Sequence, residues 1–533
     1  MHFPSLALYA ETHFRLLGFL PSLLFRKEPE IVFDVPRRCG PAGDLPVMLM
    51  MNDIDRFPAE LVSVTIVVSR KAKDPVVEKI GSPASFLVTH PLQKQAGVYL
   101  FRVPRRLLGS GPAFINCKAE LSAGKRRWTV LNDNFYASSK LPFSCFISDE
   151  QLPGADECSY GDLHIHSQYS QSPVEFGPPV SVIDSITDSC GLDFFSVTDH
   201  SYDLSCSLND YRSTDESLSR WKSFSYEDFS ASSLDRILVP GEEVSCLNSK
   251  GKIIHLCAMG IRDFIPGSAD GARKNPLSTL TLQQVIENIH GQGGLAVAAH
   301  PGSSFGYLQG IILGRGAWGE NDMAQGIDAL QAVNNGFGRS WNRSKSLWIR
   351  ELLKGHRLPL VAGNDSHGDF NRYRYISTPF FSVSENFNRY LSYCKTGIYS
   401  KVHSRDAAIC AIRRGETFVT NGPFLCLSSS NSISSNVVSS ARIDSKPDAV
   451  TAIIKSSYEF GYPSFLQVFS GKLGDSKESL VFTEGYKEKS YSLCSKVLLE
   501  RINVPGYIRA ELTCRLDDGS TTFAATSPCY FGK

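Results

Sequence analysis

Asp162, His164 and His166 occupy every second position of the stretch YGDLHIHSQYS, residues 160 to 170, with Leu163 and Ile165 between them. In a strand, alternate side chains share a face, so this spacing puts two imidazoles and a carboxylate on one side and the aliphatic pair on the other. Imidazole and carboxylate together are ligands for Zn, Mn or Fe and do not select sharply among them. The same residue types recur downstream: Asp199-His200 after FFSVT, Glu242-Glu243 in ILVPGEEV, His255 in IIHLCAMG, His300 closing LAVAAH, and Asp365 with His367 just past LPLVAG. A lone histidine at a strand end is commonly a hydrogen-bonded structural residue. Six in comparable positions of one stretch point instead to a shared site. His2, His13, His90, His290, His356 and His403 lack that context. Only one of Glu242 and Glu243 can face the site, and parity alone does not choose. A carboxylate bridging two cations is a common way to hold a binuclear centre, so one of the pair is expected there.

These groups need a scaffold that brings strand ends together. From about 156 to 420, seven β-rich runs (GDLHIH, FFSVT, ILVPGEEV, IIHLCAMG, LAVAAH, ALQAVNN and LPLVAG) alternate with helical segments such as VSVIDSITDSC, TLQQVIENIHGQG and SKSLWIRELLKGH. Such alternation reads as a parallel α/β barrel or open sheet, and in a barrel the residues just beyond the strand C-termini converge on one rim. Before it, residues 1–155 hold short β-rich runs (ELVSVTIVVS, GVYLFRV, AFINCKAEL, RWTVLN) separated by turn residues, the pattern of a β-sandwich-like domain. After NGPF, residues 421–533 return to strands (SFLQVFSG, SYSLCSKVLLE, YIRAELTCRL, TTFAATSPCYF), a C-terminal β domain. The Ser-rich piece at 428–441 suits a linker or a loop between strands, and that around 213–233 is an insertion in the middle domain.

The totals exclude more than they select. Lys and Arg number 55 against 54 Asp and Glu, so no global charge steers the chain toward nucleic acid. Fourteen cysteines without a CxxC pair argue against a zinc ribbon or a compact disulfide framework and suit a reducing, cytoplasmic setting. The N-terminal run LLGFLPSLLF is short and contains Pro21, which fits neither a spanning helix nor a normal signal peptide; a docked or membrane-brushing amphipathic segment is expected, with no stable membrane span.

Taken together, GDLHIHSQYS, TDH at 198–200, PGEEVS with His255 downstream, AAHPG and NDSH resemble the motifs of the PHP (polymerase and histidinol phosphatase) superfamily, in order over about 160 to 370. RDAAICAIRRGETFVTNGPF and YIRAELTCRLDDGSTTFAATSPCYF are similar to its carbaryl-hydrolase-like branch, where flanking β domains accompany the barrel. The resemblance implies a distorted seven-stranded barrel and a first metal on His164, His166, Glu243 and Asp365. A second would share Glu243 and add His255 and His300. A third site would use His200 and His367 plus a residue shortly after the HxH, where this chain has Gln171-Ser172. Two metals are therefore expected, with a third open. His200, His367 and Asp199 become the candidate catalytic residues, Asp199, like Asp162, as a partner that orients imidazoles. A divalent cation lowers the pKa of bound water toward ~7 and stabilises a developing oxyanion. The expected activity is hydrolysis of a small-molecule ester, foremost a phosphoester. A carbamate or carboxylic ester on the same centre is the alternative, as is a non-catalytic metal-containing binding module. The oligomeric state is not legible.

Overall fold

The structure, a computed structural model, describes residues 28–52, 54–71, 74–78, 86–87, 96–134, 141–170, 177–208, 213–229, 234–267, 280–303, 314–323, 326–334, 336–368, 370, 375–377, 382–384, 390–428, 442–443, 448–499 and 505–531. The N-terminal apolar segment, Gln171 and Ser172, and nearly all of the Ser-rich piece at 428–441 lie outside them.

In the N-terminal part, two sheets face each other. One runs through Glu30–Asp34, Leu45–Asn52 and Ala96–Val103; the other through Phe143–Ile147, Gly111–Ala123 and Glu60–Lys71. Gly111–Ala123 alternates strictly, burying Ile115, Cys117, Ala119 and Leu121, and these meet Ile31, Phe33, Val47 and Leu49 of the opposite sheet in one core.

The middle part is a long curled sheet. Its strands are β1 (Ser159–His166), β2 (Phe194–His200), β3 (Ile237–Leu247), β4 (Ile253–Met259), β5 (Leu295–Ala298), β6 (Ala329–Asn334) and β7 (Leu360–Gly363), hydrogen-bonded in that order. Helices α1 (Val180–Cys190), α2 (Ser219–Phe229), α3 (Leu282–Gly291) and α4 (Arg339–Leu353) occupy the connections. Two of them show a local cause. α1 stops at Gly191, whose φ of 82° is the left-handed C-terminal cap that glycine adopts without strain. α3 starts on a capping box between Thr281 and Gln284 and buries Val285, Ile286 and Ile289 along one face.

The sheet is not wholly parallel, as the alternation suggested. β4 runs antiparallel to both β3 and β5, because β3 turns back through Asn248–Gly251, too short a connection for a crossover. The reversal matters for the site: His255 lies near the start of β4 and therefore at the same end as the C-termini of β2 and β3. Just past β7, Ser366 and His367 pair in parallel with Ile165 and His166 of β1, and a Cβ on Gly363 would fall 2.5 Å from that of His164. β7 must carry glycine there for the two strands to approach this closely. Among the described residues this is the extent of the pairing between the ends of the seven-strand path.

Helix α5 (Arg405–Arg414) packs Ile409 and Ile412 against Leu163, Val239, Met259, Leu295 and Val297, filling the end of the curled sheet opposite the histidines. The hydrogen-bonded sheet continues from β1 through Lys395–Ile398 and Thr417–Thr420 into Thr521–Thr526, Gly506–Arg515, Tyr462–Lys472 and Ser479–Gly485, so it crosses position 420 unbroken. A three-stranded sheet, Phe424–Ser428, Ala449–Lys455 and Ser492–Leu498, faces those last strands across a core of Leu425, Ile454, Val468, Ile508 and Leu512. The N-terminal sheets reach the site's surroundings too: Asp34 Oδ2 accepts from Phe370 N at 2.9 Å, holding the chain three residues beyond His367. No described helix is long and apolar enough to cross a membrane. None of the fourteen cysteines, all among the described residues, forms a disulfide.

Candidate metal centre

β1 is not a regular strand. Its register against β2 shifts between Asp162 and Ile165, and in consequence Leu163 packs into the core sealed by α5 while Ile165 packs into the core outside the sheet. The expectation that both aliphatics share a face is corrected by this bulge, which re-aims the histidines relative to Asp162. The Asp162 carboxylate accepts from Asn364 Nδ2 at 2.6 Å and Ser392 N at 3.0 Å, and burial pushes its pKa up to about 6. It ties β1 to the segment carrying Asp365.

Around the bulge, His164, His166, Glu243 and Asp365 each offer an atom to one buried point, all within 4.8 Å of one another. His164 Nε2 and His166 Nε2 are 3.2 Å apart. From His164 Nε2, Glu243 Oε2 is 3.4 Å away and Asp365 Oδ1 3.7 Å; from His166 Nε2 the distances are 3.5 and 3.3 Å. Cation–ligand bonds of about 2.1 Å place neighbouring corners of a tetrahedron about 3.4 Å apart. Five of the six edges thus match those of a metal-ligand set, and the residues fit a divalent cation.

Glu243 also faces a second set. Its Oε1 lies 2.6 Å from His255 Nδ1 and 3.0 Å from His300 Nε2, and its Oε2 lies 3.0 Å from His200 Nδ1. These spacings are hydrogen-bond-like and tighter than ligand edges. The cluster that gathers ligand atoms here is His200, Glu243 and His255, with His300 joined through the carboxylate. A third cluster, His166, His200 and His367, has His367 stacked on His166 at 4.0 Å and its Nε2 3.5 Å from His200 Nε2. Glu242 points away from all of them: its Oε1 accepts from Ile265 N at 2.6 Å, and burial pushes its pKa well up.

The electrostatics follow from packing acids and bases without water. Burial would lift the Glu243 pKa, but the imidazoles of His255 and His164 outweigh it and hold the carboxyl well below its usual range. Asp365 is held low against burial by His164 and His166. Burial disfavours a charged His164, yet Cys257, Glu243 and Asp365 together raise its pKa. His166 is lowered, by burial and by the neighbouring His367 and His200. Protons here occupy places a cation would take, so metal loading should release them.

Side chains around the site decide which nitrogen each imidazole presents. His164 Nδ1 lies 2.9 Å from Gln331 Oε1, His166 Nδ1 3.0 Å from Ser170 Oγ, and His367 Nδ1 3.0 Å from the Asp365 carbonyl. With Nδ1 donating to an oxygen, Nε2 keeps its lone pair for the site. Asp199 acts one step further out: its carboxylate accepts from Ser167 N at 2.8 Å, Ser167 Oγ at 2.6 Å and Ser170 N at 3.0 Å. It therefore orients His166 through the Ser167–Ser170 turn. Two further features are backbone ones: His300 and Asp365 have φ of 33° and 52°, strain of about 1–3 kcal/mol each that packing must hold.

Gln331, Ser170 and Cys257, whose Sγ is 3.6 Å from His164 Nδ1, were not singled out from the sequence. Gln331 left a signal, since it is the polar residue inside the otherwise apolar run ALQAV. Ser170 and Cys257 left none. Asp199→Asn should keep the fold and weaken metal binding by about 10- to 100-fold, the usual effect of losing a partner behind a ligand, read by competition with a chelator. Unchanged affinity would remove Asp199 from the account.

No family model and no curated protein matches the chain. Among solved structures, a cycloisomaltooligosaccharide glucanotransferase of Paenibacillus sp., complexed with cycloisomaltoheptaose, aligns with 94% of this chain and 71% of its own at 11% identity, with a TM-score of 0.16. A likeness that slight carries no argument about fold or function.

Proposed function

We propose that the chain is a metal-dependent hydrolase of the PHP type, a phosphoesterase whose distorted seven-stranded barrel is flanked by β domains. The observation that carries this reading is the position of Glu243. One of its oxygens completes the near-tetrahedral set of His164, His166 and Asp365, and the other meets His255 and His300. A single carboxylate between two imidazole sets is the arrangement of a binuclear centre. Two divalent ions, Zn, Mn or Fe, suit these mixed ligands. Bound there, they supply a hydroxide nucleophile at neutral pH and offset charge on the substrate's oxygens.

The chain's own groups do the remainder. Gln331 and Ser170 fix the two β1 imidazoles with Nε2 inward. His200 and His367, buried at the rim beside both sets, hold a substrate anion or deliver a proton from His367 Nε2 to a leaving oxygen. The test is a panel of chromogenic phosphate mono- and diesters, carboxylic esters and carbamates with the metal-loaded chain. Turnover of phosphoesters that a chelator abolishes supports the reading. Turnover confined to carbamates or carboxylic esters would replace the substrate class. No turnover at full metal occupancy would favour a metal-containing binding module.

A further inference from the structure

Strand β6 breaks its own alternation just before it reaches the site. It pairs Gln331 with Val361 and Val333 with Ala362 of β7, which leaves Ala332 as an extra residue, a bulge. In a regular strand, residues three apart face opposite ways. The bulge turns Gln331 and Asn334 to one face, while Leu330, Ala332 and Val333 pack into the core outside the sheet. Each amide then stands behind a ligand of the first set: Gln331 Oε1 lies 2.9 Å from His164 Nδ1, and Asn334 Nδ2 donates to Asp365 Oδ2 at 3.4 Å. Asn334 is buried, and among the described residues its Oδ1 has no hydrogen-bond partner. An acceptor left unmet in a buried place is unfavourable, so packing alone gives no reason for an amide here. The bond to Asp365 does. Asp365 is already anchored through its backbone, with φ of 52° and its N donating to His164 O at 2.8 Å. Its Oδ1 faces His164 Nε2 and His166 Nε2 at 3.7 and 3.3 Å, and Oδ2 is the oxygen that Asn334 meets.

We propose that Asn334 is a positioning residue that restricts Asp365 to ligation through Oδ1, and thereby keeps one coordination position of the first ion open for a water or a substrate oxygen. The proposal rests on the metal-dependent hydrolase reading of the site. Four protein groups already gather at that point, and a catalytic centre differs from a closed structural one in keeping a position free. A carboxylate binds a cation through one oxygen or through both. With a donor on Oδ2, that oxygen is held off the ion; without it, the side chain can turn until both oxygens bind, and the free position is filled.

The test loads the full chain with Co(II), whose visible absorption weakens as its coordination number rises. N334A and N334L should each hold as much cobalt as the wild type by elemental analysis and show weaker absorption per ion. In parallel, kcat for the phosphoester that the wild type hydrolyses fastest should fall about 10- to 100-fold with KM less affected, the range for losing a partner behind a ligand. Leucine keeps the volume of asparagine without its amide. Agreement between the two variants therefore separates the lost donor from lost packing, and leucine serves alone if the alanine variant does not fold. Wild-type absorption in N334L at equal cobalt content would overturn the proposal, and phosphoester turnover by the wild type would then leave the hydrolase reading standing. Weakened absorption in both variants of a chain that hydrolyses nothing would uphold the positioning role and sink the hydrolase reading. A wild type that retains no cobalt would overturn both.

Discussion

Glu243→Gln is expected to remove metal and activity together. The carboxylate has imidazole nitrogens within 3.5 Å of both oxygens, five contacts in all, from His164, His166 and His200 on one side and His255 and His300 on the other. Glutamine keeps the shape but turns one oxygen into an NH2 and removes the charge, so one set loses its oxygen and the other keeps only a neutral, weaker carbonyl ligand. Losing a partner behind a ligand already costs about 10- to 100-fold in metal affinity. Losing the shared ligand should exceed ~100-fold. Glu242→Gln is the control, one residue away and equally buried. Its Oε1 needs only to accept from Ile265 N, which a glutamine oxygen does as well, so metal content and turnover should stay close to wild type. Reversed outcomes would mean that β3 faces the site with the other parity.

The second large effect is expected at the rim. His200→Ala and His367→Ala should each leave the metals of the other two sets bound while turnover falls by ~10²- to 10⁴-fold, the range for lost acid or base assistance. Glu243 retains four imidazole neighbours when His200 is removed, and His367 touches the ligand cluster through ring stacking on His166. Elemental analysis alongside kinetics separates the possibilities. Metal lost in step with activity would make the pair ligands of a further ion with His166, and would count against a proton-transfer role.

Much of the framework was legible because the chain changes period where it changes architecture. Gly111–Ala123 alternates in twos against a sandwiched core, whereas Leu282–Gly291 repeats at helical spacing behind a Thr-x-x-Gln start, and each formed what its period required. The residues that could bind metal were legible as types at strand ends. Their grouping was not, because it depends on contacts far apart in sequence. The meeting of His200 with one oxygen of Glu243, and of His255 with the other beside His300, follows from the antiparallel return of β4, which the sequence marks only by a short SKGK turn. The choice between Glu242 and Glu243 could not come from parity. The bulge in β1 could not be read either, since HxH spacing is the same in a regular strand. Asp34, in another sheet and 336 residues from its partner Phe370, left no local trace of its part in steadying the segment after His367.

The central claim is that His164, His166, Glu243, His255, His300 and Asp365 form a centre for two metal ions. Elemental analysis of the full chain, loaded with Zn, Mn or Fe and dialysed, tests it most directly. The account predicts close to two transition-metal ions per chain in the wild type and a fall toward none in E243Q with E242Q unchanged. A folded wild-type chain that retains less than one ion after loading, or an E243Q variant that keeps the wild-type content, would contradict it.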